Sequence, residues 1–236
     1  MALLSIGAVL VGIVVIAVAL FSTGQLGPQS TALKDPVDGI PAKSLWDGRA
    51  LGSKTAPVTL EAFEDFQCPA CDMFSTQTEP QLIKDYIADG KLRLVYKDMA
   101  FIGPESVDAA VAARCAGDQG LFWPFHDYVF ANQKGENKGY VSADFLRSIA
   151  TKVGADVNAF NACVGTQAPR DAVAAETKEG SDRGVVSTPT LFLNGQKIVG
   201  VPAYTDLKSA IDQILAGASE SPVPSGPATS ASPSPS

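Results

Sequence analysis

The sequence predicts an α/β layer fold with a helical insertion. Three observations carry this. A β-rich run, Val58 to Phe63, leads directly into a helical segment. A long stretch between about residues 104 and 184 reads as helical throughout. A short hairpin centred on Asn194-Gly195 is followed by an amphipathic helix.

The chain begins with an apolar segment. Residues 2–21 carry no charge, and twenty residues at ~1.5 Å each match the core of a bilayer. Residues 1–21 therefore read as one N-terminal transmembrane anchor. Ala17-Val18-Ala19 has the small-x-small form of a cleavage site, so a signal peptide removed near residue 19 is the alternative. No Lys or Arg precedes Lys34, whereas a signal normally opens with a basic region. A larger fusion, with further apolar spans upstream of Met1, is a third reading. The anchor and signal readings both place the rest of the chain outside the cytoplasm, anchored to the membrane or secreted.

Residues 22–43 are rich in Gly, Pro, Ser and Thr and read as a flexible linker. Residues 218–236 hold seven Ser and five Pro among nineteen. Such a segment buries too little apolar surface to offset its ordering entropy, so a disordered tail is expected. The folded domain is then residues 44–217, with the helical insertion over about 101–184.

Within the domain, Val58 to Phe63 follows Pro57 and reads as a strand. The segment after Pro69 is helical to Asp89, with Pro80 as a kink or break and Gly90 as the stop. Leu92 to Tyr96 is a second strand. Val107, Ala110, Val111 and Arg114 share one helical face; Phe145, Ile149 and Ala150 mark another helix, and Asp156 is placed to cap a third. Thr190–Leu193 and Gln196–Val199 flank Asn-Gly, which suits the two positive φ values of a type I′ turn. Residues 204–216 close the domain, with Leu207, Ala210, Ile211, Ile214 and Leu215 on one face.

Composition narrows the function. With 18 basic and 25 acidic side chains the net charge is −7, which gives no basic stripe for nucleic acid. Hydrophobic residues make up 46%, enough for a core and against wholesale disorder. His126 is the only histidine, so a multi-histidine metal site is not expected. His126 itself, beside Trp123 and Phe125, reads as a packed or surface residue rather than a catalytic one. Phe63 reads as core; Phe66 and Phe74 fit either core or the edge of a peptide groove.

The chemistry sits in Cys68-Pro69-Ala70-Cys71 at the strand–helix junction. The first helical N–H groups lack partners and the helix N-terminus is partly positive, so a thiolate at Cys68 is stabilised there. Pro69 costs the helix little, because its missing N–H falls among unpaired ones. Cys71, one turn on, is close enough to bond Cys68 and is expected to be the more covered of the two. A zinc site needs two further ligands, and only Cys115, Cys163 and His126 remain. A purely structural disulfide across so short a loop constrains little chain. A redox-active pair without metal or cofactor is the preferred reading. Thr188-Pro189, just before the hairpin, is a second signal; from the residues alone an ordinary trans proline is expected there.

Val58 to Cys71 (VTLEAFEDFQCPAC) resembles the entry to a thioredoxin-fold protein of the DsbA-like class. The similarity continues through Glu79-Pro80-Gln81-Leu82, Val95 to Asp98, Ile102 to Ser106, and Thr188-Pro189-Thr190 with its hairpin, over residues 45–216. The resemblance implies a thioredoxin-like fold with a helical insertion over the active site, and catalytic Cys68 and Cys71 with Pro69 and Ala70 between them. It also implies a cis Pro189 against the pair and a Thr188 backbone that pairs with substrate. These proteins usually carry a buried acid six residues before the first cysteine. That position is Ala62 here, and Glu61 and Glu64 are not taken as equivalents, since strand side chains alternate faces.

Cys115 and Cys163 remain. Four cysteines allow three connectivities; if Cys68 pairs with Cys71, the other pair is Cys115–Cys163. An oxidising compartment favours it, as do second disulfides in secreted relatives. It would contribute roughly 4 kcal/mol in the chain-entropy model.

The function expected is an extracytoplasmic thiol–disulfide oxidoreductase that inserts disulfides into secreted or membrane proteins. Its thiol-containing protein substrates attack Cys68, and the resemblance implies reoxidation by a membrane oxidase of the DsbB or vitamin K epoxide reductase-like type. A reductase or isomerase is the alternative, because Ala70 adds no donor to a Cys68 thiolate. A non-enzymatic binding module that retains the fold is the second alternative.

Overall fold

Alternating apolar residues build the centre of the sheet. A computed structural model describes residues 32–217 and 223–228; the expected N-terminal membrane or signal helix, residues 1–21, lies outside the described residues. Among these, no helix is long and apolar enough to cross a membrane.

Strands β1 (Trp46–Asp47), β2 (Ala50–Leu51), β3 (Val58–Glu64), β4 (Leu92–Asp98), β5 (Thr190–Leu193) and β6 (Gln196–Val199) form one sheet in the order β1-β2-β4-β3-β5-β6. The central pair is parallel, with Val58 opposite Leu92 and Glu64 opposite Asp98. Parallel neighbours need a crossover. Helix α1, residues 69–87, supplies it. β5 runs antiparallel to β3, and β6 returns against β5 through the Asn194-Gly195 turn. Both turn residues have positive φ, 46° and 90°, as that turn demands.

Helix α1 continues through Pro80 rather than breaking there. It alternates α-helical Pro69–Met73 and Glu79–Leu82 with wider turns at Phe74–Thr78 and Ile83–Ile87. Proline lacks an N–H and its ring crowds the carbonyl four residues back; the Glu79 N–H bonds the Phe74 carbonyl five residues back, and this widening absorbs the misfit. Helix α1 ends at Ile87, two residues short of the expected Asp89, and a turn carries the chain to Gly90, φ 70°.

Between β4 and β5 lie five helices: α2 (Pro104–Gly117), α3 (Phe122–Ala131), α4 (Ala143–Lys152), α5 (Val157–Val164) and α6 (Ala168–Asp182). Asp156 caps α5 through the N–H groups of Asn158 and Ala159. Helix α7 (Tyr204–Leu215) lies beside the end of α1, where the Tyr86 hydroxyl donates to Asp212 at 2.7 Å. The helical block is tied to the sheet in two ways. Helix α6 approaches so closely at Gly180 that an added Cβ would sit 2.7 Å from Met99 Sδ and 2.9 Å from Phe63 Cδ1. Nearby, Asp98 and Glu176 share Arg49 and Arg114, with contacts of 2.5–3.3 Å. Burial pushes the Glu176 carboxyl up, but the hydrogen bond and charge of Arg49, the Asp98 N–H and Arg114 outweigh it and hold the group at about 2. Cys115 of α2 and Cys163 of α5 are joined as a disulfide, Cα atoms 5.7 Å apart.

Two segments make contacts that composition alone does not predict. Residues 34–41 fall in the expected flexible linker, yet Lys34 exchanges hydrogen bonds with Asn132 at 2.8 and 2.9 Å, and the Tyr128 hydroxyl donates to Asp35. Part of the expected disordered tail, residues 223–228, lies along β6. The Gly226 N–H donates to the Val199 carbonyl at 2.8 Å and the Val201 N–H to the Pro227 carbonyl at 3.0 Å. An edge strand presents unpaired amides and carbonyls, and these recruit a segment whose composition alone gives no reason to order.

Candidate active site

Strand β3 ends at Glu64, and three residues carry the chain to Cys68, the N-cap of α1, with φ −73° and ψ 120°. That loop is held from several sides. The Asp65 carboxylate accepts the N–H groups of Gln67, Phe101 and Ile102 at 2.9–3.2 Å. Gln67 bridges Ser106 and the Asn137 N–H, and Gln133 donates to the carbonyls of Phe66 and Cys68. A loop with so many fixed points presents its sulfurs in one geometry.

Both active-pair cysteines are thiols in this structure. The Cys71 N–H points at Cys68 Sγ, 3.4 Å away, and Cys68 Sγ donates to the Thr188 carbonyl at 3.2 Å. The Thr188–Pro189 bond is cis, unlike the trans bond the residues alone suggest. The structure thus brings Cys68, Pro69, Ala70, Cys71, Thr188 and Pro189 together. Cys115 and Cys163 belong to the helical insertion.

Burial departs from expectation. Cys68 and Cys71 are both 0% exposed, whereas the helix-start argument anticipates a more accessible Cys68; the Thr188 segment covers it. Phe63, Phe66 and Phe74 are all buried, so none edges a groove. His126 is also buried, ringed by Phe66, Tyr96, Phe122, Trp123 and Phe130 at centroid distances of 4.8–5.8 Å.

Glu64 is the residue that the sequence reading set aside. Positions 62 and 64 have the same parity in β3, so they share a face. Glu61 sits on the other face and pairs with Arg183 at 2.7 Å, while Glu64 is 2% exposed. Burial, then the charge of Cys68, pushes the Glu64 carboxyl well above its ordinary range. Burial likewise drives the Cys71 thiol well upward, reinforced by Cys68 and Glu64 and opposed by the Asp65 N–H. Burial thus favours the neutral form of both the Cys71 thiol and the Glu64 carboxyl.

A family model described as Thioredoxin matches residues 45–213. The chain belongs to the thioredoxin-like family. The probable disulfide bond formation protein D of Bacillus cereus is 30% identical over 171 residues, 71% of this chain and 78% of that protein. Disulfide bond formation protein D of Bacillus subtilis is 28% identical over 192 residues, 78% and 83% of the two chains. The crystal structure of oxidised BdbD from Bacillus subtilis superposes with a TM-score of 0.65 at 25% identity, covering 78% of this chain and 100% of that one. Within the family this chain is a DsbA-like thiol–disulfide oxidoreductase with the thioredoxin-like fold and helical insertion, which sets aside the non-enzymatic alternative.

Proposed function

We propose that Cys68 is the exchanging sulfur and Cys71 its internal partner, working in the oxidising direction. A substrate thiolate attacks Cys68 of the oxidised pair; the Cys68–Cys71 bond breaks, and Cys71 leaves as a thiolate that takes up a proton. Glu64, whose carboxyl stays protonated to higher pH than usual, is the group placed to give it. A second substrate thiolate attacks the substrate sulfur of the mixed disulfide, and Cys68 leaves with the electron pair. Two thiolates have become one substrate disulfide, and the enzyme is left reduced. The observation that carries this reading is the position of Cys68 at the start of α1, between the Cys71 N–H and the Thr188 carbonyl. Ser187 to Pro189 forms the backbone against which a substrate peptide docks, beside exposed Val186.

In this reading the chain acts outside the cytoplasm, held to the membrane by residues 1–21 through the linker 22–43, with residues 44–217 as the catalytic domain and 218–236 as the tail. Its substrates are thiol-containing secreted or membrane proteins, and a membrane oxidase of the DsbB or vitamin K epoxide reductase-like type returns it to the disulfide form. Cys115–Cys163 stabilises the insertion and takes no part in turnover.

Equilibration against glutathione buffers tests the direction. A potential near about −120 mV supports an oxidase; one near about −270 mV reassigns the chain to the reductase side, which Ala70, with no donor to offer the thiolate, would favour.

A further inference from the structure

Behind the cysteine pair lies a second group of ionisable side chains that thiol exchange does not use. Glu79 on α1 and the adjacent His126 and Asp127 on α3 each bring one ligand atom to within 4.8 Å of the other two. Glu79 and His126 are 2% and 0% exposed, and the Asp127 side chain 11%. Each keeps a buried atom with no hydrogen-bond partner: Glu79 Oε2, His126 Nε2 and Asp127 Oδ2. Within the group, His126 Nδ1 lies 2.7 Å from Asp127 Oδ1. Among the described residues no Lys or Arg pairs with either carboxylate. A buried polar atom without a partner is unfavourable, and one bound cation would give all three of these atoms a partner.

Two of the three are also reachable. A cavity of about 680 Å³ is lined by Glu79 and Asp127, with Asp72, Lys34 and Lys84 among its other walls. The imidazole is fixed by the five aromatic rings around it, so the ring is held before anything binds.

We propose that Glu79, His126 and Asp127 form a binding site for one divalent transition cation of the zinc class. Three protein ligands of the imidazole and carboxylate kinds that zinc accepts leave a fourth position open to water, and the cavity adjoins it. The imidazole argues against calcium or magnesium, which take oxygen ligands in larger number. The ligands come from two helices distant in sequence, and the sequence reading accordingly expects no metal.

The test uses the untagged full chain in detergent, with Cys68–Cys71 oxidised so that no thiolate competes. Co²⁺ is titrated first and then displaced with Zn²⁺. One equivalent of Co²⁺ is expected to bind with visible ligand-field absorption. His126 is the only imidazole, so its ring-proton resonances report directly and should shift paramagnetically. Glu79→Gln and Asp127→Asn should each weaken Co²⁺ binding by more than roughly 10-fold, the least that loss of even an outer-shell partner costs. Unshifted His126 resonances at saturating Co²⁺ would overturn the site, even if cobalt binds elsewhere. Unchanged affinity in both variants would do the same. The resonance test needs no substitution, so it decides the question if the variants fail to fold.

Discussion

The molecule holds two cysteine pairs, and they differ in almost every physical respect. Cys68 and Cys71 are three residues apart at the start of a helix, both thiols and both fully buried, Cys68 against the Thr188 carbonyl. Cys115 and Cys163 are 48 residues apart on two packed helices and joined to each other. The first pair closes almost no chain, so its bond adds little to stability and remains available for exchange. The second closes a long loop and restrains the unfolded state. Residue type is shared; what separates a reagent from a staple is the length of chain between the sulfurs and the groups around them.

Exchanging the roles by mutation is the most direct way to break this comparison. Cys68→Ser should abolish oxidation of a dithiol peptide, while a Cys115→Ala/Cys163→Ala protein should keep it. Retained exchange in Cys68→Ser would refute the assignment. The same double variant should lose roughly 4 kcal/mol of stability in urea unfolding, with the reduction potential of the other pair unchanged. The ion cluster sharpens the contrast further. The folded-state value of Glu176, about 2, lies below its ordinary 4.5. Its contribution is therefore present above pH about 4.5 and is lost as pH falls towards 2. Unfolding measured down that range should show a decline on the order of 2 kcal/mol, reduced in Glu176→Gln. The smallest effect belongs to Glu64. Because its folded-state value is raised, its proton is retained at low pH and lost as pH rises through that value. Glu64→Gln should slow stopped-flow peptide oxidation by roughly tenfold, about 1.4 kcal/mol, and flatten its decline with rising pH.

Much of this was readable from residues alone where the signal was local. The Asn194-Gly195 turn, the Asp156 cap and the placement of Cys68 before Pro69 each depend on neighbours in sequence, and their geometry follows from it. What was hidden depends on contacts across the fold. β1 and β2 are two residues each, too short for any period to show. The docking of Lys34, Asp35 and residues 223–228 comes from Asn132, Tyr128 and the β6 edge, none of them near in sequence. Glu64 is different: its parity with Ala62 was available, and the alternation rule excludes Glu61 but not Glu64. His126 and Glu79 meet only because α1 and α3 pack together.

Asp65 contacts more than its single carboxylate suggests. Its N–H faces Cys71 Sγ at 3.5 Å, its carbonyl accepts the Cys68 N–H at 2.9 Å, and its side chain grips Phe101 and Ile102 at the threshold of α2. The sulfurs and the doorway to the helical block are therefore hinged on one residue. A chimera that grafts another relative's insertion onto this sheet would have to transplant that hinge intact, or the spacing of the two sulfurs would move with it.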